Sequence, residues 1–316
     1  DGRNAYSDEY PRHEVTLSSY YIGKYEVTNG QMVAVLNWAY DQGYLEAFDG
    51  APYGGGVVYK NGEPLLNTAD VESYSQISYI GAGAFEWRNR DGYSMENHPV
   101  VEVSWYGAVC FANWLSEMEG RTPAYNLSTW ELEHQFGDGY RLPTEAEWER
   151  AAAWSGSHHW IYGYQSDTAS ANQMNYDYTN PLGLSDHPYT TPVGYYDGSG
   201  STIDSPSPVG AYDMSGNVWE WCHDWYSGSY YDGGAMTNPT GPSSASYRVL
   251  RGGYWDYYAR YCRSANRRYY FPWSRGFLNG FRVAAGSAYS PATTPSPRPS
   301  PTPTVTPTTV TPTLTP

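Results

Sequence analysis

Residues 212–226 read Tyr-Asp-Met-Ser-Gly-Asn-Val-Trp-Glu-Trp-Cys-His-Asp-Trp-Tyr. From Gly216 to Trp221 large aromatics alternate with polar groups, the two-residue period of a half-buried strand, and Gly216 permits a turn ahead of it. Upstream, Tyr-Arg-Leu-Pro-Thr-Glu-Ala-Glu-Trp-Glu-Arg-Ala-Ala (140–152) sets a proline just before a capping threonine. Thr144 and Glu147 form a T-x-x-E box and predict a helix over 145–154. Further out, Thr28 can cap a helix carrying Met32, Val35, Leu36, Ala39 and Tyr40 at helical spacing. Ser104 can cap another, with Ala108, Phe111, Leu115 and Met118 on one face and Gly120 as its stop. Residues 15–26 are β-rich, and Asn61-Gly62 is the turn of a hairpin. Elsewhere Gly, Pro, Asn, Asp and Ser recur every few positions, which predicts loops and short strands without an internal repeat.

Bulk properties narrow the function. Thirty-four Tyr and thirteen Trp against seven Phe, with 16% charged residues, fit either a wet binding surface or an irregular aromatic core. A formal charge of -15 argues against nucleic acid as partner, because phosphate neutralisation needs a basic face. Residues 251–283 invert the sign, with seven Arg and one acid, Asp256. Those arginines either meet an acidic partner or pair with the acidic body, and internal pairing is the favoured expectation. Cys110, Cys222 and Cys262 form no framework or CxxC spacing and read as small buried residues. With no apolar run near 18 residues, direct membrane insertion is not expected. The chain starts at Asp1, as a processed or truncated chain would, which leaves export open. From 291 to 316, nine Pro and ten Thr in 26 positions predict a semi-extended stalk or linker, with the folded domain spanning 1–288 and the tail 289–316.

Seven ordered stretches resemble the formylglycine-generating enzyme (sulfatase-modifying factor) family: 13–31, 98–117, 140–152, 191–194, 212–226, 247–253 and 280–284. The resemblance implies an α+β, C-type-lectin-like fold of that type, with two or three helices, small mixed sheets and abundant irregular loops. Family members that make formylglycine use a copper-binding cysteine pair shortly after an RGG-type motif. Here Arg251-Gly252-Gly253 is followed by one cysteine, Cys262, and one thiol cannot supply the pair that Cu(I) needs. A second branch uses three histidines for iron, but no helical histidine pair occurs among the seven here, so neither copper nor iron is expected and the chain reads as no enzyme. Structural Ca²⁺ is the cofactor the resemblance implies. Two places match, one with Asn172, Gln173 and Asp186, the other with Ser215, Asn217 and Glu220; the alternative is that Asn217 and Glu220 bond only neighbouring backbone.

Residues 251–283 hold six Tyr, three Phe and two Trp at neither helical nor strand period, so many of these rings are expected to face outward. The segment is similar to the variable region of proteins diversified by retroelements, several of which use this family fold. The template-like pieces are Arg251-Gly-Gly, Trp255, Ala259-Arg260, residues 262–267 (Cys-Arg-Ser-Ala-Asn-Arg), Pro272, Arg275 and residues 280–284. Between them lie Asp256, Tyr257, Tyr258, Tyr261, Arg268, Tyr269, Tyr270, Phe271, Ser274, Gly276, Phe277 and Leu278, with Asn279 as an optional member. All can be reached from the Asn codon AAC by replacing adenines. Trp cannot, which leaves Trp255 and Trp273 with the scaffold, while Tyr254 stays unclassed. The resemblance implies a non-catalytic protein presenting these positions on one face to a protein or cell-surface ligand. Extracellular or surface display on a cell or virus particle, tethered through the tail, goes with it. The alternative is a family enzyme or paralogue whose aromatic loops line a fixed small-ligand cleft.

Overall fold

The computed structural model describes residues 5–45, 56–68, 74–81 and 83–290, together with Val305–Thr306. Most of the Pro/Thr tail therefore lies outside the described residues, and its one described piece pairs antiparallel with Tyr21–Gly23.

In chain order the elements that position the site are β1 (Tyr21–Gly23), α1 (Asn29–Asp41), α2 (Trp105–Met118), β2 (Tyr140–Arg141) and α3 (Glu145–Ala153). They are followed by β3 (Trp219–Trp225), β4 (Arg248–Arg251), β5 (Arg268–Tyr270), β6 (Asn279–Gly280) and β7 (Ala284–Ala285). Each helix starts at its expected cap. Thr28 and Gln31 exchange side-chain-to-backbone bonds of 3.2 and 2.9 Å, Thr144 and Glu147 do the same at 3.2 and 2.8 Å, and the Ser104 hydroxyl accepts from the Gly107 N–H at 3.0 Å. These bonds satisfy amides that the first helical turn leaves without a partner. On α2, Ala108, Phe111 and Leu115 are buried as expected, but Met118 is 39% exposed because it sits at the open end of the helix, beyond the packed face. Asn61 and Gly62 both take positive φ and join Val57–Lys60 to Glu63–Asn67, the geometry of a two-residue hairpin turn.

A mixed sheet in the order β5-β4-β3-β6 carries the site, with β3 antiparallel to β4 and parallel to β6, and β5 forming one edge. A second, antiparallel set places β7 between β2 and β1. The strand expected to be half-buried is instead buried from Trp219 to Asp224. Its reason is position, since β3 has a neighbour on each edge and apolar layers on both faces. Trp219 and Trp221 enter the main core with α1 and α2, while Cys222 enters a second core with Trp148, Ala151 and Ala152 of α3. The polar positions meet partners rather than water: Glu220 accepts from the Trp148 Nε1–H at 2.8 Å, and Asp224 from the Glu145 N–H at 2.8 Å. All three cysteines are buried, and none forms a disulfide.

Candidate functional site

Residues 251–283 leave the core at β4, turn outward, return as edge strand β5 and dive back at β6. The turn needs glycine. Gly253 has φ +83°, and a Cβ there would stand 2.5 Å from Cys262 Sγ. Arginines then staple the irregular backbone. Arg251 donates to the carbonyls of Ser264, Asn266 and Ala265 at 2.6, 3.0 and 3.1 Å and pairs with Glu149. Arg267 grips Glu145 through two bonds of 2.7 and 2.8 Å, Arg263 grips Glu9 at 2.6 Å twice, and Arg282 grips Glu220 at 2.6 Å twice. Such two-pronged pairs fix geometry as well as charge. Internal pairing therefore accounts for these four arginines. Arg260 and Arg268 are different, and among the described residues neither has a carboxylate partner.

The segment divides by burial largely along the line drawn from its residue types, although Arg260 of the template-like pieces is exposed and Ala259, Arg263, Ala265 and Arg275 are half-buried. Arg251, Gly252, Gly253, Trp255, Cys262, Ser264, Asn266, Arg267, Pro272 and residues 280–284 are buried. None of the twelve positions read as replaceable is. Tyr258, at 61%, Tyr269 and Phe271 are exposed. Asp256, Tyr257, Tyr261, Arg268, Tyr270, Ser274, Gly276, Phe277 and Leu278 are half-buried. Tyr257, Tyr261, Tyr270, Phe277 and Leu278 rest one side on the main core. Tyr254 and Asn279 are buried and side with the scaffold, whereas Trp273, placed with the scaffold by its codon, is 49% exposed.

The rings do not form the single face expected. One line of contacts runs from Phe277 through Trp255, Tyr254 and Tyr257 to Tyr261 and Tyr6, with centroid separations of 6.0, 5.8, 5.2, 4.0 and 5.8 Å. A second group holds Tyr269 against Tyr226 at 4.0 Å and Phe271 against Tyr247 and Trp273 at 4.6 and 4.7 Å. The cause is β5, where successive side chains point to opposite sides. Two open hollows of about 460 and 510 Å³ flank these groups, the first lined by Tyr176, Asp177, Tyr258, Ala259 and Arg260, the second by residues that include Asp8, Tyr10 and Tyr226. Tyr6, Tyr226 and Tyr247 join the surface from outside the segment. No spacing in the sequence links them to it, because the links are made by the N-terminal strap and the β4–β5 pairing.

Of the residues proposed for calcium, Ser215, Asn217 and Glu220 do not assemble a free oxygen set. Both Glu220 oxygens hold Arg282, and one also takes the Trp148 N–H. Asn217 Oδ1 accepts from the Thr191 N–H at 3.0 Å while its amide donates to Glu26 at 2.7 Å, and the Ser215 hydroxyl donates to the Cys262 carbonyl at 2.7 Å. These three side chains do not fit a calcium site; they brace the turn of Gly216, where a Cβ would meet the Asn175 carbonyl at 2.2 Å. Asp186 stands beside Arg90, which supplies the counter-charge, and Asn172 gives its carbonyl to the Ile203 N–H. Burial pushes the Cys262 thiol up to about 12, so it is held as the neutral thiol.

The sequence profile described as "Sulfatase-modifying factor enzyme 1-like domain" matches residues 1–286. A Chlamydia caviae protein named serine/threonine-protein kinase pkn1 is 32% identical over 287 residues, 90% of this chain but 36% of that protein, so the chain spans about a third of that relative's length. The formylglycine-generating enzyme of Thermomonospora curvata is 30% identical over 297 residues, covering 88% of this chain and 85% of that enzyme. Among solved structures, Treponema denticola variable protein 1 aligns with a TM-score of 0.55 and 27% identity over 90% of each chain.

Proposed function

Because the chain belongs to the family of sulfatase-modifying factor enzyme 1-like domains, we propose that it uses this fold as a non-catalytic, retroelement-diversified binding protein for a protein or cell-surface target. The observation that carries the reading is the division within 251–283: none of the twelve positions read as replaceable is buried, whereas most of the invariant-looking motif around them, from Arg251-Gly-Gly and Trp255 to residues 280–284, is tied into the core. Exchange at such positions alters a surface while leaving core packing in place. Tyr-rich surfaces with Arg suit protein recognition, giving large rigid contact area at low entropy cost. The likeness to a Treponema denticola variable protein supports the same reading.

The test is genetic. The neighbouring DNA is expected to hold a near copy of the codons for 251–283 that differs only where adenines stand, together with a reverse transcriptase gene. An intact locus with neither returns the chain to the fixed-cleft reading. Display outside the cell through the tail belongs to the same proposal, and protease shaving of intact producers is expected to release the domain.

A further inference from the structure

We propose that the side of the variable surface built by Arg260, Arg268 and their tyrosines docks an acidic segment of a protein partner. The inference rests on the recognition reading above and gives its target a chemistry.

Arg260 is exposed; its guanidinium lies 4.6 Å from the Tyr261 ring and donates to the Tyr261 hydroxyl at 2.8 Å. Arg268 is half-exposed and lies 5.4 Å from the Tyr270 ring. Tyr257 packs at a tilt against Tyr261 at 4.0 Å, and its phenol lies within the field of Arg268, so the two arginines belong to one patch of four tyrosines when Tyr270 and Tyr258 are counted. Four other arginines of the segment are paired with carboxylates. These two lie against tyrosine rings and give one N–H group each to a tyrosine hydroxyl, which leaves the rest of the N–H fork for a partner. The result is a basic, aromatic island on a chain of net charge -15. A guanidinium fork takes a carboxylate through two parallel bonds, and Arg beside Tyr is the composition of an interface centre. Asp256 next to Tyr257, and Asp177 in the hollow with Tyr258 and Arg260, border the island. They would repel a uniformly charged polyanion but leave room for a protein loop carrying one or two carboxylates.

A random-peptide display library panned at low salt against the full chain tests this. Selected peptides are expected to be enriched in Asp and Glu. In fluorescence polarisation they should bind R260Q or R268Q about tenfold more weakly than the wild type, as loss of a charged hydrogen bond predicts, with unchanged melting of both variants. Neutral or basic selected peptides, or acidic ones indifferent to both substitutions, overturn the inference while leaving the recognition reading standing. So does a heparin-type sulfated glycan that binds more tightly than every selected peptide. A library yielding no binder at all counts against the recognition reading itself, and this inference falls with it.

Discussion

Arg282 gathers three carboxylates from distant parts of the chain, Glu220 directly and Glu26 and Asp213 through its field. Glu220 and Arg282 are fully buried, and removing one member of such a pair leaves the other charge without compensation. E220Q is therefore expected to destabilise the fold by about 3–5 kcal/mol, read from urea unfolding. Burial raises Asp213 to about 6 from its ordinary 3.8, against the Gly194 N–H and Arg282, which pull it down; Glu26 is raised for the same first reason. A carboxyl with a raised folded value keeps its proton longer in the folded chain. Its contribution is thus fully present below the unfolded value and is lost as pH rises through about 6. Melting temperature should accordingly carry a falling component between about pH 4 and 6 that D213N removes. Glu149, which burial would raise but Arg251 holds down at about 2, contributes a rising component that ends near its ordinary 4.5 and overlaps only the start of that window. None of this pairing was legible in the sequence, where Glu26 and Arg282 stand far from each other and from Asp213 and Glu220.

The helices were legible to within a residue because their caps are local. Thr28, Ser104 and Thr144 each bond an amide three residues on, so sequence distance and spatial distance coincide. Strand β3 was legible as a strand but not as a central one. Its alternation from Gly216 to Trp221 reads Glu220 as solvent-facing, and only the neighbours β4 and β6 with α3 convert it into a buried acceptor. The same contrast governs the variable segment. Replacing Tyr258 by Ser should change stability by no more than about 0.5 kcal/mol. Replacing Trp255 by Ala, four residues beyond Arg251 and fully buried, should cost about 3–5 kcal/mol. Parallel urea titrations compare the two; equal losses would mean that the division into scaffold and replaceable positions has no energetic basis.

At the scale of the molecule, a fold shared with formylglycine-generating enzymes carries the segment after Arg251-Gly-Gly with a single buried thiol where the resemblance implies a reactive pair. Incubation with copper and a sulfatase-type peptide is expected to leave the peptide cysteine unconverted by mass spectrometry, and turnover would reverse the reading of Cys262. Among the described residues no helix is long and apolar enough to cross a membrane. The N-terminal strap matters here as well: Glu9 closes on Arg263, Asp8 bonds Tyr226, and Tyr6 stacks beside Tyr261, so the proposed recognition surface is assembled from both ends of the domain.

What the amino-acid order decided alone was the family, the three helix starts and the Asn61-Gly62 hairpin. Each depends on residue type or on bonds a few positions long. What only the tertiary structure decided was where the positions of 251–283 point: β5 lies on a sheet edge, its pleat divides the aromatics between two sides, and buried arginines draw Glu220 inward. Pairing between segments separated by tens to hundreds of residues is set by how the layers pack, and a one-dimensional pattern carries no record of it.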